Sequence, residues 1–196
     1  MFRTFISADF GRFPRVDAFS DALRASGGQL KLVDTDILHT TLKFLGDTDE
    51  ALVPDIVAVM EGAVKGIAPP TVILRGTGAF PSANRISVVW IGLDGAESLA
   101  AIAATLDREL DALGFRPEGR RWQPHVTVAR VKGARNLDRV RAAIEAHANE
   151  EFGSARVDSI RLRRSVLTPG GPEYTTVAEV PLPGQDRVRT PSSPGR

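Results

Sequence analysis

Leu38-His-Thr-Thr-Leu-Lys-Phe-Leu-Gly46 and Pro124-His-Val-Thr-Val-Ala-Arg130 hold two of the chain's three histidines, and a threonine follows each one two places on. Short runs of this kind, apolar and β-branched, predict strands over Leu38–Leu45 and His125–Val131. Side chains on a strand alternate between faces. His39 and Thr41 therefore share one face, His125 and Thr127 share another, and Thr40, Leu42, Val126 and Val128 turn away. The same device, an imidazole beside a hydroxyl, is thus carried twice. The third histidine, His147, lies outside any such frame near the end of a predicted helix, where its charge suits the helix dipole.

The flanking sequence predicts an α+β scaffold. Residues 2–8 form a strand, and Pro14 then opens a helix carrying Val16, Phe19 and Leu23 to a Gly27-Gly28 stop. A strand over Leu30–Val33 precedes the first histidine strand. Asp49 then caps a helix over Glu50–Val64, with Gly66 beyond its end. Strands over Thr71–Gly76 and Ile86–Gly92 flank a turn-rich stretch, Gly78-Ala-Phe-Pro-Ser-Ala-Asn84. Leu99, Ile102, Leu106, Leu110 and Leu113 recur at helical spacing up to Gly114. After the second histidine strand come a helix over Leu137–Ala148 and closing strands over Ala155–Leu167 and Tyr174–Leu182.

Composition narrows the chemistry. With 196 residues and 42% hydrophobic content, a single domain over residues 1–183 is expected, followed by a disordered tail at 184–196 that has little to bury. The absence of cysteine excludes disulfides, thiolate nucleophiles, zinc ribbons and iron–sulfur clusters. No Walker A sequence occurs, and Gly76-Thr-Gly-Ala-Phe-Pro81 fails the dinucleotide-binding fingerprint, which disfavours a doubly wound nucleotide-binding fold. The chain has no run of about 18 apolar residues and no signal-peptide core, so a cytoplasmic protein without a membrane partner is expected. The net charge of +1 conceals a segregation: residues 34–61 carry −6 and residues 116–141 carry +6. A basic stretch beside a candidate site suits a polyanionic substrate.

Displacement at phosphorus needs a base for the attacking oxygen and an acid for the departing one, on opposite sides of the phosphate. Two imidazoles can fill both roles near neutral pH. Thr41 and Thr127 can each donate a hydroxyl to a non-bridging oxygen and stabilise its growing charge. This chemistry requires neither a cofactor nor a metal. A zinc site would need carboxylates such as Asp34 or Asp36 to join the two histidines. An RNA-binding module without chemistry would need only cations and stacking surfaces such as Phe80, Trp90 or Trp122, and leaves the paired histidines and threonines unexplained.

The two frames resemble the signature motifs of the 2H phosphoesterase superfamily, within it the RNA 2',3'-cyclic phosphodiesterases first described as 2'-5' RNA ligases. Gly78-Ala-Phe-Pro81, Val89-Trp90, Leu113-Gly-Phe115 and Pro169-Gly-Gly-Pro-Glu-Tyr174 extend the resemblance in the same order, so that it covers about Phe2 to Leu182. It implies a two-lobed, pseudo-twofold fold with antiparallel sheets around a central cleft and helices outside. It also implies hydrolysis of RNA 2',3'-cyclic phosphate ends, on tRNA halves or oligonucleotides, to 2'-phosphomonoesters by a monomer. Reversible 2'-5' ligation is a variant, and a small cyclic nucleotide is an alternative substrate. The same resemblance implies that His39 is the proton donor and His125 the proton acceptor; the two frames, equivalent by inspection, do not themselves choose.

Arg130, Lys43 and Phe44 are the candidate substrate contacts. The resemblance implies a phosphate or nucleotide contact for Arg130. Strand alternation places Arg130 opposite His125 and Thr127 unless the strand bulges. Lys43 shares parity with His39 and Thr41, which predicts a cation facing the cleft.

Overall fold

The computed structural model describes residues 1–168 and 171–183. The expected tail at 184–196 and the first two residues of the Pro169–Pro172 segment lie outside them. Among the described residues, nine strands and four α-helices follow in the order β1 (Phe2–Asp9), α1 (Pro14–Ala25), β2 (Leu30–Leu32), β3 (His39–Thr48), α2 (Val53–Val64), β4 (Thr71–Ser82), β5 (Arg85–Asp94), α3 (Glu97–Glu109), β6 (His125–Val131), α4 (Leu137–Ala146), β7 (Glu151–Arg156), β8 (Ser159–Thr168) and β9 (Gly171–Pro181). The strands form a four-stranded sheet, β3-β1-β8-β9, and a five-stranded sheet, β2-β6-β5-β4-β7, antiparallel throughout. The fold class is α+β. Among the described residues no helix is long and apolar enough to cross a membrane.

Local signals account for most element ends. Pro14 starts α1, where its fixed φ suits the first turn and its missing N–H costs nothing, and Val16, Phe19 and Leu23 are wholly buried. The Asp49 carboxylate accepts from the Ala51 N–H and so caps the short turn leading into α2. Gly114 adopts φ 89° to end the 3-10 turn that extends α3. Helices α2 and α3 pack against each other on the side of the four-stranded sheet, and α1 and α4 do so on the five-stranded one. The chain visits the lobes alternately: β1 and β3 belong to one sheet, β2 between them to the other, and β8 and β9 return to the first.

Two expectations are corrected. The stretch 78–84 is not a loop, because β4 runs to Ser82 and β5 begins at Arg85, leaving only Ala83 and Asn84 to turn. Gly78 serves the ladder here: a Cβ on it would come within 2.2 Å of the Trp90 indole, which lies across that position. The strand expected over 155–167 is two strands. Arg156 ends β7, paired to β4, and Ser159 begins β8, paired to β1, so the chain changes sheets at Val157-Asp158.

Candidate active site

His39 opens β3 and His125 opens β6, on different sheets, and both line one cleft of about 2510 Å³ together with Thr41 and Thr127. That volume exceeds the roughly 300–1,000 Å³ of a site built round one small molecule, so a longer substrate has room. The two imidazoles are held alike. His39 Nδ1 lies 2.9 Å from the carbonyl of Ile37, and His125 Nδ1 lies 2.8 Å from that of Gln123, each two residues back. With Nδ1–H donating to a carbonyl, the neutral ring keeps its lone pair on Nε2. A phenylalanine packs on each ring: Phe5 on His39 at 5.2 Å between centroids, Phe80 edge-on to His125 at 5.0 Å. Neither the Thr41 nor the Thr127 hydroxyl is engaged by another described residue, which leaves both free to donate.

The likeness extends to irregularities. Where β3 pairs β1, Ser7 stands opposite Thr41 and Ile6 opposite Lys43, so Leu42 is an extra, unpaired residue. Where β6 pairs β5, Trp90 stands opposite Thr127 and Val89 opposite Ala129, so Val128 is extra in the same way. Each bulge falls three residues after its histidine and reverses the parity of the residues beyond it. Arg130 is thereby returned to the face of His125 and Thr127, the arrangement that unbroken alternation forbids. Its charge reaches both imidazoles, where it adds to the lowering caused by burial, and Tyr174, whose pKa burial raises against the pull of Arg130.

The same reversal removes Lys43 from the cleft-facing role expected of it. Lys43 is 2% exposed, and its ammonium donates to Asp107 Oδ1 at 2.6 Å and to the Arg116 carbonyl at 2.7 Å. Phe44 takes the exposed place on β3, at 57% exposure, where Arg130 stands on β6. Its ring lies 6.3 Å from Phe5.

The His39 half contains groups that reasoning from sequence missed. Asp9, opposite His39 on β1, accepts from Ser7 at 2.7 Å, from Arg161 at 2.7 Å and from Arg163. Tyr174 stands edge-on to His39 at 5.3 Å and lies beneath the Arg163 guanidinium at 5.9 Å. Period-two parity on β1, with Phe5, Ser7 and Asp9 on one face, is the signal that could have found Asp9. An apolar opposite face of similar length obscured it. Burial holds both imidazoles below the ordinary histidine pKa, opposed in each by the backbone hydrogen bond. At His39 the Asp9 carboxylate also opposes the lowering while Arg163 and Arg130 add to it; at His125 no carboxylate acts and Arg130 adds to the lowering.

The carboxylates considered for a metal lie elsewhere in role. The Asp34 side chain accepts from the Asp36 N–H, and Asp36 pairs with Arg12. His147 caps the end of α4, with Nδ1 2.8 Å from the Ala143 carbonyl and its ring on Phe19.

The family model of the 2'-5' RNA ligase superfamily matches residues 13–168. A protein of Methanothermobacter thermautotrophicus named RNA 2',3'-cyclic phosphodiesterase is 41% identical over 175 residues, 88% of this chain and 95% of that one. A protein of Aeropyrum pernix with the same name is 38% identical over 89% of this chain and 98% of its own. Among solved structures, TT0787 of Thermus thermophilus aligns with a TM-score of 0.69 at 27% identity, covering 93% of this chain and 99% of that one. Escherichia coli LigT, solved with 3'-AMP, aligns with a TM-score of 0.68 over 92% of this chain and 98% of its own; at 22% identity it speaks for the fold alone.

Proposed function

Because the chain belongs to the 2'-5' RNA ligase superfamily, we propose that it is an RNA 2',3'-cyclic phosphodiesterase that opens a terminal cyclic phosphate to a 2'-phosphomonoester. The observation that carries this reading is the duplicated unit: two imidazoles on facing strands, each pinned through Nδ1 with Nε2 free, each with an unengaged threonine hydroxyl beside it. Forming the 2'-phosphate breaks the bond from phosphorus to O3'. The acid therefore stands by O3' and the base by the attacking water.

His39 is the proton donor in this reading. Asp9 favours its imidazolium, and the negative charge of a bound cyclic phosphate adds to that. Protonated His39 keeps Nδ1–H on Ile37 and passes Nε2–H to O3'. His125, which no acid supports, stays neutral and takes the proton of water at Nε2. Thr41 and Thr127 donate to the non-bridging oxygens, and Arg130 offsets their charge. Phe44 offers an exposed ring on which the terminal base can stack. When an RNA 5'-hydroxyl replaces water, the same steps give a 2'-5' linkage, driven by the strain of the ring and without a nucleotide triphosphate.

The test is turnover of an oligonucleotide ending in a 2',3'-cyclic phosphate, with the product's phosphate position read by nuclear magnetic resonance. A 2'-monophosphate is expected. A 3'-monophosphate would reverse the geometry, and hydrolysis of small cyclic nucleotides in preference to the oligonucleotide would replace RNA as substrate.

A further inference from the structure

His39 and His125 share no β ladder, since β3 is an edge of one sheet and β6 lies in the other. Acid and base must nonetheless hold a fixed separation to bracket one phosphate. Among the described residues, two hydrogen bonds tie β3 directly to the segment 115–124 that leads into β6. Lys43 Nζ donates to the Arg116 carbonyl at 2.7 Å, and the Trp122 indole Nε1–H donates to the Thr41 carbonyl at 2.7 Å. Both acceptor or donor positions on β3 lie within four residues of His39 in the sequence.

The second tie reaches the chemistry on both sides. Thr41 belongs to the first histidine frame. Gln123, the neighbour of Trp122, supplies the carbonyl that holds His125 Nδ1 at 2.8 Å. Trp122 and Gln123 therefore form a two-residue span, anchored to the first frame by a side chain and to the second imidazole by a backbone carbonyl. The first tie steadies the span's approach. Asp107 Oδ1 accepts from Lys43 at 2.6 Å and also from the Glu118 N–H at 2.8 Å, so one carboxylate on α3 fixes the segment and the buried ammonium together. The Trp122 ring packs against the core, which limits the directions in which its N–H can point.

We propose that Trp122 is a positioning residue: its indole N–H sets the separation and tilt of His125 relative to His39, and so the competence of the pair. The inference rests on the two-histidine reading above. In Trp122→Phe the ring is kept and the donor lost, so the fold persists while Gln123 and the imidazole it holds drift. A displacement of about 1 Å at a reacting group costs on the order of a hundredfold in rate. We expect kcat to fall roughly tenfold to a hundredfold, with KM for the oligonucleotide within about twofold, because the proposed substrate contacts Arg130 and Phe44 are unchanged and the variant keeps an aromatic ring at 122. The His125 titration, followed by the shifts of its ring protons, moves to lower pH as its carbonyl partner loosens.

Normal kcat in a folded Trp122→Phe, or a fall in kcat with the His125 titration unmoved, overturns the proposal. If the variant does not fold, exchange of the Trp122 indole proton in the unmodified protein decides instead: slow exchange supports the bridge and free exchange removes it. Failure of the functional reading is separable. A wild-type protein that turns over no cyclic-phosphate oligonucleotide refutes that reading, while the His125 titration and the indole exchange still report on the bridge.

Discussion

The two halves of the site share a frame and differ in what surrounds it. Both place a histidine at the start of a strand, pin its Nδ1 to a carbonyl two residues back, set a phenylalanine against the ring and bulge the strand three residues on. Beyond the bulge they diverge. The His39 strand presents Phe44 to solvent and buries Lys43, whereas the His125 strand presents Arg130 and buries Ala129. Asp9 and Arg163, which pair with each other, both act on the first imidazole, and no carboxylate acts on the second. In the proposed mechanism the shared frame supplies two equivalent proton carriers, and the differences would decide which one holds the proton and which end of the substrate lies where.

The comparison breaks most severely if either imidazole is removed. His39→Ala and His125→Ala should each lower kcat by about 10²–10⁴-fold, the range for losing a general acid or base, with oligonucleotide binding retained in equilibrium titrations. Equal losses are expected even though the surroundings are unequal, because each proton transfer is needed. Lys43 tests a difference that lies in stability. Lys43→Ala, which copies Ala129 of the other strand, leaves the Arg116 carbonyl without its donor and the partly exposed Asp107 with only the Glu118 N–H, and should cost about 1–3 kcal/mol in chemical denaturation.

Asp9→Asn sharpens the assignment of acid and base. The plot of kcat/KM against pH should be bell-shaped, and this variant should move the His39 limb to lower pH while leaving the His125 limb in place. A shift in the wrong limb would exchange the roles. Both rings are held below the ordinary imidazole pKa of about 6.5. As pH falls the unfolded chain therefore takes up protons first, so the stability associated with the neutral rings is present above that value and is lost as pH drops toward the folded values. Replacing both histidines with glutamine should flatten the fall in melting temperature between about pH 7 and pH 5. Phe44→Ala should have the smallest effect, raising KM by an amount equivalent to about 1–3 kcal/mol of lost base stacking, with kcat unchanged.

Much of the frame was legible in the sequence. The period-two pattern placed both histidine strands, and β6 begins and ends at the expected residues, His125 and Val131. Pro14, Asp49 and Gly114 marked helix ends because each acts through its own backbone or side chain. The two bulges were not legible, since an extra residue is defined only against a partner strand that local sequence does not name. The burial of Lys43 and the return of Arg130 to the cleft follow from those bulges and were hidden with them. The extension of β4 through Gly78 was hidden for a related reason, as that glycine answers to Trp90 on the next strand.

The alternation of the chain between its sheets bears on how the protein is made. Strand β1 is flanked by β3 and β8, and β8 begins only at Ser159. On a ribosome, β1 must wait for more than three-quarters of the described chain to follow it before its second neighbour exists. Neither lobe is a stretch of polypeptide that could be excised and studied alone. Long-range pairing of this kind slows folding and exposes strand edges meanwhile. Truncation ahead of β8 therefore leaves a nascent species with an open sheet edge at β1, a natural substrate for chaperones.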